Sequence, residues 1–130
     1  MTKQVTLVED DEAVRESLCA ILESWDYQVH DFEDGESLLE AGIPSGTNCI
    51  LLDVRLPGID GISLLSKIRE TDKTTPIMIL TGHGDISMAV TALKNGAQDF
   101  IEKPYDDEDL VRRIENVDAT VSNIAADRQK

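Results

Sequence analysis

Basic residues are scarce in this sequence. Its 130 residues include 12 Lys and Arg against 26 Asp and Glu, which gives a formal net charge of −14 at pH 7. Such a negative field repels a phosphate backbone, so we expect no binding of nucleic acid through this domain. The expected partners are proteins or small charged molecules.

Cysteine and long apolar runs are also scarce. The two cysteines, Cys19 and Cys49, lie in apolar stretches and lack the spacing of a metal site, which predicts buried thiols in a reducing cytosol. A short apolar run near the N-terminus meets a group of acidic residues, so neither a signal peptide nor a membrane anchor is indicated. We therefore expect a cytoplasmic protein without membrane association.

What the sequence does contain is a repeated alternation of short apolar strands and amphipathic helices. Strands are predicted at residues 4–8, 27–32, 49–52, 76–80 and 99–102, and a helix follows each of them. The run 49–52 is continuously apolar, which is typical of a central strand covered on both faces. Five such units with short connections predict an α/β fold, a flavodoxin-like doubly wound parallel sheet in the order 2-1-3-4-5 with helices on both faces.

Polar residues stand where these predicted strands end. Glu9 and Asp10 follow the first strand, Asp53 follows the third, and Thr81 and Lys103 follow the fourth and fifth. The carboxyl ends of parallel strands share one edge of the sheet, which is where such folds bind ligands. Three nearby carboxylates need a counter-charge, and Mg²⁺ prefers oxygen ligands of this kind. The sequence therefore predicts a magnesium site at this edge.

The chemistry of Asp53 follows from its place beside that metal. One of its oxygens can bind the cation while the other attacks phosphorus, which gives an acyl phosphate. Lys103 can neutralise developing charge, and the Thr81 hydroxyl can donate to a phosphoryl oxygen while Gly82 leaves space beside it. Each residue also has an ordinary explanation: the acids after strand one can cap a helix, and Asp53 can belong to a turn. Their joint placement at strand ends favours the functional interpretation.

Four segments resemble the receiver domain of two-component response regulators, and the resemblance extends over nearly the whole chain. They are VEDDEAVR, ILLDVRLPGIDG, ILTGHGD and DFIEKPYD, and they occur in the family's order and spacing. The stretch TGHGDISMAV is most similar to receivers of the nitrogen-fixation transcription factor class. We expect residues 1–120 to form the receiver domain and residues 121–130 to extend the last helix or begin a linker.

By position, the resemblance implies a role for each residue at the strand ends. The implied metal ligands are Glu9, Asp10, Asp53 and the backbone carbonyl of Arg55; Asp53 is the phosphoacceptor, Thr81 and Phe100 are the switch residues, Lys103 pairs with the phosphate, and Pro104 follows a cis peptide bond. The family more often has Asp where this chain has Glu9. The longer side chain is expected to alter metal affinity without abolishing binding.

The resemblance also implies a function. A sensor histidine kinase or a histidine phosphotransfer protein would supply the phosphoryl group, with Mg²⁺ or Mn²⁺ as the metal. The chain would be no enzyme toward other substrates and would catalyse only its own phosphorylation and dephosphorylation. Thr81 would then draw its loop toward the phosphoryl group and Phe100 would turn inward, which changes the surface of helix 4, strand 5 and helix 5.

The last predicted helix carries a short heptad pattern. Its apolar positions are Leu110, Ile114, Val117, Val121 and Ile124. Its first half is expected to pack on the sheet. Its second half either pairs with another chain or leads to an output domain, and fraying after Asn116 is the alternative. A homodimer through helix 4, strand 5 and helix 5 is a related expectation.

Three other classes of protein fit the sequence less well than the receiver does. A metal-dependent phosphatase with an aspartyl nucleophile generally carries a second Asp where this chain has Arg55. A flavin carrier of the same topology needs a phosphate loop after strand one, where four consecutive acids stand here. A plain interaction domain would bind neither metal nor phosphodonor. The sequence leaves open whether the receiver acts alone or belongs to a DNA-binding regulator, and which kinase it serves.

Overall fold

Strands and helices alternate throughout the chain. The computed structural model describes residues 3–82 and 84–128, with side chains described up to residue 118. The elements are β1 Lys3–Val8, α1 Glu12–Ser24, β2 Tyr27–Phe32, α2 Gly35–Ala41, β3 Thr47–Asp53, α3 Gly61–Thr71, β4 Ile77–Thr81, α4 Ile86–Lys94, β5 Asp99–Glu102 and α5 Asp107–Arg128. Within the described part of the chain, no helix has both the length and the apolar character needed to cross a membrane.

The five strands form one parallel sheet in the order β2-β1-β3-β4-β5, so the predicted fold class is confirmed. The register aligns the strand ends: Val8 lies opposite Leu52, Asp53 opposite Leu80, and Thr81 opposite Glu102. The loops that follow β1, β3, β4 and β5 therefore meet at one edge of the sheet, the carboxyl edge.

Burial on both faces explains the continuous apolar run of β3. Cys49 and Leu51 belong to one core cluster, together with buried residues of α1 and α5. Ile50 and Leu52 belong to the other, together with buried residues of α2, α3 and α4. Successive strand residues point to opposite faces, so only a strand covered on both sides buries all four.

The two thiols differ in their burial. Cys49 is buried, as expected for its place in β3, whereas Cys19 on α1 is only partly buried. Both are free thiols, and burial raises the pKa of Cys19 to about 11. The prediction of buried thiols is therefore right for Cys49 and only partly right for Cys19.

Aspartate side chains begin three of the helices. Asp11, Asp34 and Asp60 accept hydrogen bonds from the backbone N–H three residues later, which satisfies donors that a helix N-terminus leaves open. The cap at Asp34 starts α2 at Gly35. At the C-terminal end of α4, Asn95 is the C-cap and Gly96 has a φ of 111°, a left-handed conformation that glycine adopts readily after a helix.

The first half of α5 packs on the sheet, as predicted. Leu110, Ile114 and Val117 are buried in the cluster shared with α1. Val121 and Ile124 lie outside the side chains that the structure describes, so the second half of the heptad pattern stays a prediction. The division of the chain at residue 120 also stays a prediction.

Candidate functional site

Asp53 is the last residue of β3 and is held firmly at the carboxyl edge. Its side chain is 9% exposed. One oxygen, Oδ1, accepts a hydrogen bond of 2.9 Å from the backbone N–H of Arg55. The other, Oδ2, lies 2.9 Å from Lys103 Nζ. A Cβ at Gly61 would stand 2.3 Å from the Asp53 carbonyl oxygen, so only glycine lets α3 begin this close to the site.

Glu9 and Asp10 lie beside Asp53, immediately after β1. The backbone N–H of Glu9 donates to Phe32 O at 3.1 Å, which extends the pairing with β2 by one residue. Glu9 is buried and Asp10 is exposed. One carboxylate oxygen from each of Glu9, Asp10 and Asp53 lies within 4.8 Å of the others. The structure thus brings together the three acids that the sequence placed at neighbouring strand ends.

The carboxylate of Glu9 fits a cation site. Its Oε1 accepts a hydrogen bond from the backbone N–H of Asp11 at 3.1 Å. Its Oε2 is buried, lies 3.5 Å from Lys103 Nζ, and makes no hydrogen bond to any residue that the structure describes. A buried carboxylate oxygen without a hydrogen bond is costly, and a proton or a metal ion would satisfy it. An oxygen-only set of three carboxylates suits Mg²⁺ or Mn²⁺.

The charges at this edge are tightly linked. Burial, together with the nearby carboxylate of Asp53, raises the pKa of Glu9 to about 8. Burial alone would raise the pKa of Asp53, but the proximity of Glu9 and the hydrogen bonds from Lys103 and the Arg55 N–H lower it. Burial also opposes the charge on Lys103, yet Asp53 and Glu9 raise its pKa. In the metal-free site, these opposite pKa shifts favour protonation of Glu9 over protonation of Asp53, which lies beside Lys103.

Thr81 and Lys103 lie where β4 and β5 end side by side. The backbone N–H of Lys103 donates to Thr81 O at 2.7 Å. The Thr81 hydroxyl is buried and donates a long hydrogen bond of 3.4 Å to Ile101 O, so in this structure it points to β5. Phe100 is half-buried on β5 and packs against the core cluster of α2, α3 and α4. The peptide bond between Lys103 and Pro104 is cis.

Arg55 takes part in a contact that the sequence did not reveal. Its guanidinium forms a bidentate pair with Asp85, at 2.8 Å from Nε to Oδ2 and 2.6 Å from Nη2 to Oδ1. Asp85 occupies the N-cap position of α4, yet its carboxylate bonds this arginine and makes no capping hydrogen bond to the described backbone of the helix. His83, which lies between Thr81 and Asp85 in the sequence, is outside the described residues.

Glu36 on α2 was also missed by the sequence analysis. Its Oε2 accepts a hydrogen bond of 3.1 Å from the backbone N–H of Ile59, in the loop between β3 and α3. Gly58 has a φ of 67°, and a Cβ there would collide with the Glu36 carboxylate. Only the PG turn signalled the loop in the sequence, and nothing in the spacing linked it to α2.

Fold and site together define a doubly wound α/β domain with an acidic cluster, a lysine and a buried threonine at its carboxyl edge. The family model for the response regulator receiver domain matches residues 5–115. The chain belongs to this family, and it is a receiver domain of the two-component type rather than a member of a conventional enzyme family.

Individual relatives support the same family assignment. The transcriptional regulatory protein FixJ of Azorhizobium caulinodans is 42% identical over 110 residues, which is 85% of this chain and 52% of the relative. Nodulation protein W of Bradyrhizobium diazoefficiens is 38% identical over 126 residues, 97% of this chain and 53% of the relative. The crystal structure of full-length FixJ from B. japonicum has a TM-score of 0.86 and 40% identity, and the match covers 95% of this chain and 61% of that one.

These likenesses confirm the resemblance to nitrogen-fixation regulators that the TGHGDISMAV stretch indicated. The chain spans about half the length of the two relatives. What the remaining half of such regulators does is therefore a separate question from what this domain does.

Proposed function

We propose that this receiver accepts a phosphoryl group on Asp53 in a reaction that depends on Mg²⁺ or Mn²⁺. The observation that carries the proposal is the environment of the Asp53 carboxylate. It is nearly buried, ionised, bonded at one oxygen by Lys103, and adjacent to a Glu9 oxygen that lacks a hydrogen bond within the described structure. Glu9, Asp10, Asp53 and the Arg55 carbonyl would hold the metal.

Asp53 is the nucleophile in this proposal. One of its carboxylate oxygens attacks phosphorus of a phosphohistidine on the partner, a new O–P bond forms, and the N–P bond breaks. The histidine nitrogen leaves with the electron pair of the broken bond and takes up a proton. A bound Mg²⁺ or Mn²⁺ supplies positive charge that neutralises the phosphoryl oxygens.

Lys103 and Arg55 prepare Asp53 for this attack. The lysine keeps the carboxylate ionised and stands 2.9 Å from one of its oxygens, where it can pair with the incoming phosphoryl group. The N–H of Arg55 fixes the orientation of the carboxylate. Hydrolysis by water would return Asp53 to its carboxylate, so the domain catalyses only changes in its own phosphorylation.

Thr81 and Phe100 form the proposed switch. The Thr81 hydroxyl makes only a 3.4 Å hydrogen bond with Ile101 O, so a phosphoryl oxygen on Asp53 can compete for it. Movement of Thr81 would vacate space that Phe100 fills from β5. The surface formed by α4, β5 and α5 would change as a result, and it is the surface through which we propose that homodimers form.

The proposed partners are a sensor histidine kinase or a histidine phosphotransfer protein in the cytoplasm. We propose that residues 1–120 form the receiver and that residues 121–130 lead out of it. The domain acts either alone or as the receiver part of a transcriptional regulator such as the relatives' names describe.

The test is the intact mass of the protein after incubation with Mg²⁺ and acetyl phosphate, a donor that needs no kinase. We expect a gain of one phosphoryl group that requires the metal and is lost in Asp53→Asn. Asp107→Asn, which changes an exposed acid at the start of α5, is the matched control and should gain as much as the native chain. Gain that persists in Asp53→Asn, or no gain by folded protein that binds Mg²⁺, would contradict the proposal.

A further inference from the structure

Arg15 lies near the carboxyl edge, and its described contacts there are with backbone carbonyls and not with the carboxylates of the acidic cluster. It is the fourth residue of α1, and its side chain is only 15% exposed. Its Nη1 donates to the backbone carbonyl of Glu9 at 2.8 Å and makes a long contact with that of Asp10 at 3.5 Å. Its Nε stands 3.3 Å from Asp31 Oδ2, one residue before the end of β2.

Those two carbonyls belong to the short connection between β1 and α1, which is part of neither a strand nor a helix. Glu9 and Asp10 come after the last residue of β1 and before Asp11, the N-cap of α1. Backbone groups in such a connection need partners from outside the strand and the helix. The N–H of Glu9 is bound by Phe32 O, and its carbonyl is bound by Arg15. The peptide groups flanking Glu9 are thus anchored to β2 on one side and to α1 on the other.

This anchoring matters most for Asp10. Its side chain is exposed, so packing does little to orient its carboxylate toward Glu9 and Asp53. The direction of the side chain then depends on the backbone that carries it. Arg15 contacts that backbone directly, and a well-oriented ligand set binds a metal more tightly than a loose one.

A simple ion pair with Asp31 explains the position of Arg15 less well. Asp31 is 46% exposed, and an ion pair to such a residue contributes little. The shortest contact of the guanidinium is with the Glu9 carbonyl, at 2.8 Å against 3.3 Å for Asp31. Asp31 instead balances the positive charge, which would otherwise oppose a cation at the acid pair.

We propose that Arg15 is a positioning residue for the metal site, because it holds the backbone of Glu9 and Asp10 so that both carboxylates face Asp53. The inference rests on the proposed function, since it presumes that these acids bind Mg²⁺ or Mn²⁺. It adds a residue on α1 whose effect on the metal is transmitted through backbone carbonyls.

The test is Mn²⁺ binding by the unphosphorylated protein, followed by electron paramagnetic resonance of the free ion and by competition with Mg²⁺. We expect Arg15→Met to weaken Mn²⁺ binding about 10- to 100-fold, the range typical of residues that orient metal ligands. Arg15→Lys should recover part of the loss, because an ammonium group can still donate to one carbonyl. Lys3→Met removes one positive charge at the opposite end of β1 and should bind as the native chain does.

Thermal unfolding of the metal-free proteins separates positioning from general stability. A purely structural role would lower the melting temperature of Arg15→Met and leave the affinity of its folded fraction unchanged, which would overturn the inference. Equal weakening in Lys3→Met would overturn it too, because net charge would then be the cause. If Arg15→Met does not fold, Arg15→Gln decides the same question. If the native protein binds no Mn²⁺, the proposed function itself is refuted. If the Arg15 variants bind Mn²⁺ as tightly as the native protein does, only the inference about Arg15 is refuted.

Discussion

Arg55 and Asp85 join the two loops that flank the phosphoacceptor. Arg55 follows β3 by two residues and Asp85 precedes α4, and their side chains form a bidentate ion pair across 30 positions of sequence. The backbone N–H of Arg55 bonds Asp53 while its side chain holds the start of α4. Arg55 therefore links the Asp53 carboxylate to the loop that follows Thr81.

A phosphoryl group on Asp53 should weaken this ion pair. The added negative charge attracts the Arg55 guanidinium toward Asp53 and away from Asp85. A double-mutant cycle with Arg55→Met and Asp85→Asn should give a small, favourable coupling energy in the unphosphorylated protein, since Arg55 is largely exposed and solvent screens the pair. With Mg²⁺ and a phosphate mimic bound, we expect the coupling to shrink to nearly zero. Coupling that is unchanged by the mimic would show that the pair stays intact during the switch.

Metal affinity should depend on pH through Glu9. Its folded-state pKa of about 8 lies above its ordinary value of 4.5, so folded protein holds a proton that the metal must displace. We expect Mg²⁺ binding to strengthen as pH rises through about 8, with release of up to one proton per metal ion bound. Calorimetric titration at about pH 6.5 and about pH 9, in buffers of different ionisation enthalpy, measures both quantities.

The same shift has a consequence for metal-free stability. Because the folded state binds the proton more tightly, the stabilisation from Glu9 is fully present below its unfolded pKa and is lost as pH rises through about 8. Glu9→Gln has no titrating group at position 9, so it should lose less stability than the native chain as pH rises through about 8. Parallel stability curves for Glu9→Gln and the native chain would contradict the assignment of the proton to Glu9.

The positions of Glu9, Asp10, Asp53, Thr81 and Lys103 were predictable from the sequence, because each ends a strand or follows its last residue by one or two positions. Parallel pairing brings strand ends to one edge whatever the side chains in between. The contacts of Arg55 with Asp85 and of Arg15 with the Glu9 carbonyl were not predictable in this way. These contacts depend on the conformations of loops and side chains beyond the strand ends. The periodic spacing of apolar residues carries no information about those conformations.

The helix boundaries show the same difference between what the sequence predicts and what only the structure reveals. The sequence predicted a helix after β2, but the first residue of α2 is set by the Asp34 cap. Asp85 precedes α4 as Asp34 precedes α2, and a sequence pattern alone would give both the same capping role. Only the structure shows that the Asp85 carboxylate is engaged with Arg55.

Lys103 should contribute to the rate of phosphoryl gain more than to metal binding. It neutralises Asp53 and is placed to pair with the phosphoryl group, and loss of one such charge-stabilising donor costs about 100-fold in rate. We expect Lys103→Met to be phosphorylated about 100-fold more slowly by acetyl phosphate while it still binds Mg²⁺. Lys67→Met, on the exposed side of α3, controls for the lost charge. Equal phosphorylation rates for the two variants would show that Lys103 has no specific role in the reaction.

Gly61 should tolerate no side chain. A Cβ there would lie 2.3 Å from Asp53 O and 2.8 Å from Val54 Cα, and both are backbone atoms that cannot move aside cheaply. We expect Gly61→Ala to lower the free energy of unfolding by about 1–3 kcal/mol, the usual cost of overpacking. Urea denaturation measures the loss, and Ser66→Ala on the exposed face of the same helix should be nearly neutral. A neutral Gly61→Ala would mean that α3 can shift away from β3.

The outer face of α4 offers an apolar stripe for the proposed dimer. Ile86, Val90 and Leu93 stand at helical spacing and are 46%, 43% and 39% exposed. Because α4 begins just after the Thr81 loop, movement of that loop would change how the stripe is presented. We expect sedimentation to show one chain without Mg²⁺ and phosphate mimic and a dimer with them, and we expect Val90→Glu to prevent the dimer. Leu39→Glu places the same charge on a comparably exposed apolar residue of α2 and should dimerise normally. A mass of one chain under both conditions would show that α4 is not a pairing surface in this domain.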